Sequence, residues 1–292
     1  MESPASLINK IISISLLDPR IEAVILTGSR GRDQHIDRYS DVDIELIGYG
    51  ASELFNDKKW VNHFGHSLIA LHLRNLEEHE PDWPTCLVIY EQGRKVDFTF
   101  AEPERLQKMK REGLDSTFSR GFVVLLDKSG ITDNLASTVN PNSLLPKVPN
   151  ETQFTDLLSD FWFEAHQVSI ALARDELWVA WSRSADMKQF FLSSIELLVS
   201  LKSHAKKNVW YNGCKYHEWM PEHFIDALET IFDCSTAQKA ALSLHCLMSC
   251  FLEATTELSL LLGYDDKQNV GSQMQELVTG ILKDNGLIAE GA

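Results

Sequence analysis

Basic residues are scarce in this chain: 27 lysines and arginines stand against 42 aspartates and glutamates, a formal charge of −15 over 292 residues. Nucleic acid is disfavoured as a partner, because no basic surplus is available to displace counterions from a phosphate backbone. The acidic balance suits a cationic small molecule instead. Cysteine is also thin: Cys86, Cys214, Cys234, Cys246 and Cys250 are odd in number, form no CxxC, and lack partners at zinc-like spacing. For Cys246 and Cys250, four apart in a helical pattern, buried apolar thiols are the expectation, and a reducing cytosol is the natural compartment. Long apolar runs are missing too. The opening MESPASLINKIISISLLDPR is too short and interrupted to span a bilayer, and no small-residue cleavage site follows it, so a cytoplasmic chain with no membrane partner is expected. Ser6 or Pro4 can open an amphipathic helix there, which stops before Pro19. The length allows two modest domains or one large one.

What the chain does have is concentrated between Ala23 and Ile47, AVILTGSRGRDQHIDRYSDVDIELI. Val24, Ile25 and Leu26 suit a buried strand that Gly28 ends. The second apolar run opens with Asp41 and Asp43, and a strand turns residues two apart to one face. Two carboxylates on one edge raise each other's pKa unless a divalent cation sits between them. Gly28 and Ser29 can let backbone N–H groups approach a phosphate, with Arg30 or Arg32 supplying positive charge. Together these describe a nucleoside triphosphate held by a Gly-Ser loop, with Mg2+ bridging its phosphates to the aspartates.

A third carboxylate lies in VIYEQGRKVDFTF. Leu87–Tyr90 and Lys95–Phe100 read as a hairpin turning at Gly93. Asp97 then shares a face with Lys95 and Thr99. Beside the strand of Asp41 and Asp43 it would complete a triad that holds metal or acts as general base.

GSRGR, SDVDIELI and KVDFTF together resemble the nucleotidyltransferase superfamily of DNA polymerase beta. The opening from Asp18 to Arg30, the acid and Phe-Thr pair from Asp97 to Thr99, and the segment from Asp160 to Ala180 are similar to the bacterial aminoglycoside 6-adenylyltransferase (streptomycin adenylyltransferase) family. The resemblance implies an α+β fold: a mixed-sheet nucleotidyltransferase domain over residues 1–149, then an α-helical bundle that binds substrate over 150–292. It also implies Mg2+-dependent transfer of AMP from ATP to an aminoglycoside hydroxyl, as in antibiotic resistance.

The residues themselves place the boundary in the Ser/Thr/Asn/Pro-rich stretch 129–150. Beyond it, apolar stripes at helical spacing run over Phe154–Leu172, Ala185–Ser203 and Ala237–Leu262, the last closed by Gly263, with a weaker helix over Met274–Leu282. Helices of this kind bury their stripes against one another. In DFWFEAH, three consecutive aromatics cannot share one helix side, so at least one, with Trp162 the candidate, faces a ligand. Asp160 and Glu164 lie four apart on one face, where Glu164 can contact substrate amino or hydroxyl groups or serve as base. By the resemblance, Lys188 joins the nucleotide site, and Gly213, Lys215 and Trp219 match a family element. The acidic loop of Glu77, Glu78, Glu80 and Asp82 can attract a polycation.

The sequence thus favours Asp97 for deprotonating the acceptor, Asp41, Asp43 and Asp97 for the metal, and Gly28, Ser29 and Arg30 for the triphosphate. Rival readings are another small-molecule hydroxyl such as a lincosamide, a protein acceptor, or a nucleotide-binding protein without catalysis. A monomer or weak homodimer is expected.

Overall fold

The computed structural model describes residues 2–74, 83–91, 93–137, 146–209, 212–264 and 268–289. Its architecture is α+β, a mixed β-sheet followed by an α-helical bundle. Contacts divide the chain into two compact units, Met1–Pro141 and Asn142–Ala292. Among the described residues, no helix is long and apolar enough to cross a membrane.

The first unit opens with α1 (Pro4–Leu17), capped by the Ser3 hydroxyl, which accepts from the Ser6 N–H. Proline at the first helical position costs no hydrogen bond there. Then come β1 (Ala23–Leu26), the single turn α2 (Gly28–Gly31), β2 (Val42–Ile47) and α3 (Ala51–Asn56). They are followed by β3 (Ser67–Leu73), β4 (Thr85–Tyr90), β5 (Lys95–Ala101), α4 (Glu104–Glu112) and β6 (Val123–Asp127). The sheet order is β3-β4-β5-β2-β1-β6. Among the described strands only the central β2–β5 pair is parallel; the other neighbours are antiparallel.

Alternation along β2 and β5 divides the two faces. Val42, Ile44, Leu46, Val96, Phe98 and Phe100 enter a core with α1 and the 3-10 turn Trp60–Phe64, where Trp60 meets Phe64, Phe98 and Phe100 edge-on. Each such ring pair adds about 0.5–1.5 kcal/mol beyond its buried area. The intervening residues Asp43, Glu45, Lys95, Asp97 and Thr99 face the other way. That second face is closed only in part, by Leu106 and Met109 of α4 with Ala23, Ile25, Ile47 and Ala101. The expected hairpin is present, with Ile89 paired to Lys95 and Gly93 at φ +75°.

The second unit contains α5 (Glu151–Ala173), α6 (Leu177–Lys202), α7 (Glu222–Phe232), α8 (Ala237–Leu262) and α9 (Gln268–Asp284). Asn150 and Gln153 close a reciprocal capping box on α5, and Gly263 ends α8 at φ +69°. Phe161 of α5 stacks on Phe251 of α8 at 3.5 Å. Two differences from the sequence reading stand out. α6 begins at Leu177, ahead of the expected Ala185, because its exposed first turns carry Trp178 and Trp181 instead of a continuous apolar stripe. α7 had not been expected; it buries only Phe224 and Ile231 fully, too few positions for a clear period.

Candidate active site

β2 and β5 run parallel with Asp43 directly opposite Asp97. Residues paired across neighbouring strands project to the same face, so the two carboxylates are brought together by register. Asp41 precedes β2 by one residue. Burial, followed by the charges of Asp97 and Asp41, pushes the Asp43 carboxyl up to about 6. Burial also raises Asp97, against the pull of its Lys95 hydrogen bond. One oxygen of Asp97, Oδ1, is buried with no hydrogen-bond partner.

The Gly-Ser turn lies against this pair. Gly28 has φ +62°, and a Cβ there would stand 1.9 Å from Asp43 Oδ2. Both the backbone conformation and the close approach require glycine. The Thr27 N–H donates to the Asp43 carbonyl at 3.0 Å, tying the turn to β2. Ser29 and Arg30 follow in the first helical turn, whose leading N–H groups have no acceptors within the helix. Arg30 is committed to the loop: its guanidinium donates to the carbonyls of Asp41 at 2.9 Å, Ser40 at 3.0 Å and Asp37 at 3.4 Å. Nearby, burial and then the charge of Arg32 lower the Arg120 pKa to about 10, so a second and a third guanidinium occupy this end of the sheet.

Lys95 differs from the sequence expectation. Among the described residues, no three His, Cys, Asp or Glu side chains form a group able to hold a metal ion as they stand. The Lys95 Nζ instead donates to Asp41 Oδ2 at 2.6 Å and to Asp97 Oδ2 at 2.8 Å. Its shared face with Asp97 was evident from alternation, but its bridging of Asp41 required the β2–β5 pairing. Like-charged carboxylates repel and spread around whatever cation is present. The chemistry of the donors is that of a hard divalent ion's ligands, all carboxylate oxygens, and an ammonium stands as a cation between two of them.

Glu45 was missed by the sequence reading although it continues the Asp41, Asp43 alternation. It is 4% exposed and pairs at 3.3 Å with Arg105, which also donates to Asp115 at 3.0 Å. The acid run of residues 77–82 lies outside the described residues.

In the helical unit, the neighbouring rings of the aromatic run differ in exposure. Trp162 is 5% exposed and packs edge-on against Phe161 and Phe251, whereas Phe163 is 61% exposed. Trp162 is therefore mostly packed into the core, with part of its ring lining a recess of about 380 Å³ that Phe163 also borders, and Phe163 is the ring that faces outward. Phe163 lines a recess of about 200 Å³ with Asp160, Glu164, Asp186, Gln189 and Phe190. Glu164 accepts from Arg183 Nη1 at 2.9 and 3.0 Å, so its charge is already matched. Lys188 lies 3.5 Å from Cys234 Sγ and over the Phe232 ring at 5.0 Å, occupied within its own unit. Trp219 is buried at 1%, with its indole N–H donating to the Cys214 carbonyl.

The model of the streptomycin adenylyltransferase family matches residues 1–281. The chain belongs to that family. Among relatives of this family member, the aminoglycoside 6-adenylyltransferase of Bacillus subtilis is 26% identical over 183 residues, spanning 61% of this chain and 62% of that one. The match thus covers less than two thirds of the Bacillus protein. The aminoglycoside 6-adenylyltransferase of Campylobacter jejuni is 23% identical over 98% of this chain and 100% of its own length. A crystal structure of an aminoglycoside 6-adenyltransferase from Bacillus subtilis covers 96% of this chain and 99% of its own, at 19% identity and a TM-score of 0.45.

Proposed function

We propose that this protein transfers AMP from ATP to a hydroxyl of a cationic small molecule, an aminoglycoside such as streptomycin. The observation that carries the reading is the register that sets Asp43 opposite Asp97, with Gly28 flat against Asp43. Family membership and the relatives' activity support it.

Asp41, Asp43 and Asp97 would hold Mg2+, which supplies neutralisation of the charge that develops on the phosphate oxygens. The N–H groups of Ser29 and its neighbours meet the triphosphate. Arg30, held by the loop carbonyls, shapes the loop, and Arg30 and Arg32 both bring positive charge to this end of the sheet. Asp97 faces Lys95 with Oδ2 and leaves Oδ1 unpartnered. A buried carboxylate with a raised pKa is a stronger base than an exposed one. We therefore assign Asp97 the acceptor proton. The acceptor oxygen forms its bond to the α-phosphorus as the bond to pyrophosphate breaks, and most of the rate comes from positioning and charge neutralisation. In the helical unit, Asp160 and Asp186 with the rings of Phe163 and Phe190 suit an amino sugar: carboxylates for its cations, aromatic faces for its ring.

The test is pyrophosphate release with Mg2+ and each nucleoside triphosphate, with and without streptomycin, followed by mass spectrometry of the drug. A streptomycin-dependent signal and an added AMP mass are expected, and both should vanish in Asp43→Asn. A signal that persists unchanged in Asp43→Asn would sink the site.

A further inference from the structure

Lys95 stands two residues before Asp97 on β5, on the same face of the sheet. Its ammonium bridges carboxylates from two different places in the chain, 2.6 Å from Asp41 Oδ2 and 2.8 Å from Asp97 Oδ2. These are two of the three groups assigned to the metal. An ammonium and a divalent ion cannot share the same oxygens, because charges of +1 and +2 a few ångströms apart repel strongly in a half-buried site.

The second buried cation on this face shows what a permanent pair looks like. Arg105 is 10% exposed at its side chain and holds Glu45 and Asp115 together through a rigid planar group. The Lys95 side chain is 35% exposed, and a flexible four-carbon stem lets the ammonium withdraw to water. Arg105 is built to stay; Lys95 can leave.

Resting on the proposed metal site, we propose that Lys95 is a resident counter-ion which a divalent cation must displace. Metal entry is then an exchange, and Lys95 sets the metal affinity of the ligand-free protein. The ammonium prevents the carboxylates from repelling one another before the metal arrives, at the cost of weakening its binding.

The experiment measures Mn2+ binding to the purified full chain without nucleotide, by electron paramagnetic resonance of the free ion, alongside thermal melting. Lys95→Met should bind Mn2+ at least about tenfold more tightly than the wild type, while Lys95→Arg, which keeps the charge, should bind no more tightly. Without metal, Lys95→Met should melt lower than the wild type, and Mn2+ should raise its melting temperature by more. Equal or weaker Mn2+ binding by Lys95→Met overturns the proposal, since Lys95 would then be arranging the carboxylates rather than competing for them. Adding Asp43→Asn to either background separates this result from failure of the site. Mn2+ binding that survives Asp43→Asn, or that is absent from both wild type and Lys95→Met, overturns the metal site itself and the exchange with it.

Discussion

The sheet and the helical bundle each gather carboxylates, and they treat them differently. On the sheet, Asp41, Asp43 and Asp97 are drawn together by strand register, partly desolvated, and given one releasable cation. On the bundle, Asp160 and Asp186 remain exposed around a recess, while Glu164 is matched by Arg183. Desolvation raises the basicity of a carboxylate and its demand for a cation, whereas exposure leaves it a weak, screened attractor. On the proposed function, the sheet is the place for chemistry, and the bundle the place for recognising a charged ligand.

The largest expected effect tests the chemical side of this contrast. Asp97→Asn should lower kcat by about 10²–10⁴, the usual worth of a positioned general base, with an unchanged circular dichroism spectrum. Asp160→Asn should instead raise KM for the aminoglycoside with little change in kcat, because it removes binding shared by ground and transition states. If the two variants show the same pattern, the division fails.

Next in size is the contrast between neighbouring rings. Trp162→Ala should cost about 3–5 kcal/mol in urea unfolding, as expected for a large aromatic removed from a packed core. Phe163→Ala should unfold within about 0.5 kcal/mol of the wild type and show its effect in acceptor KM. Reversed results would return Trp162 to the ligand.

The smallest effect is a pH dependence without metal. Asp43 titrates near 6 in the folded chain, raised from 3.8 by burial and by its acidic neighbours. Between those values the folded state holds a proton that the unfolded state has lost, so stability falls as pH rises through that window. The full difference is roughly 3 kcal/mol, since each factor of ten in proton affinity is worth about 1.4 kcal/mol. Asp43→Asn should flatten the decline of the melting temperature from pH 4 to 6, and saturating Mg2+ should do the same to the wild type. A wild-type profile that rises with pH across this range would contradict the assignment.

Much of this was readable in the chain. Alternation placed Asp41 with Asp43 and Lys95 with Asp97, since a strand has a period of two whatever its partners. Gly263 marked the end of α8 for an equally local reason. Glu45 could have been found by extending the same alternation one step. Trp162 could not have been told from Phe163, because consecutive aromatics leave the buried side of a helix to be chosen by the helices packed against it.

By itself the sequence determined the strands, the Gly-Ser turn, the residues that share each strand face, and the family. These follow from backbone periodicity, the freedom of glycine and the chemistry of side chains close in sequence. The tertiary structure decided that β5 lies beside β2, which sets Asp97 against Asp43 across a separation of more than fifty residues. It also gave Lys95 to Asp41, Arg105 to Glu45 and Arg183 to Glu164. Long-range pairing is a choice among many partners, made by packing the whole core at once, and no local pattern encodes it.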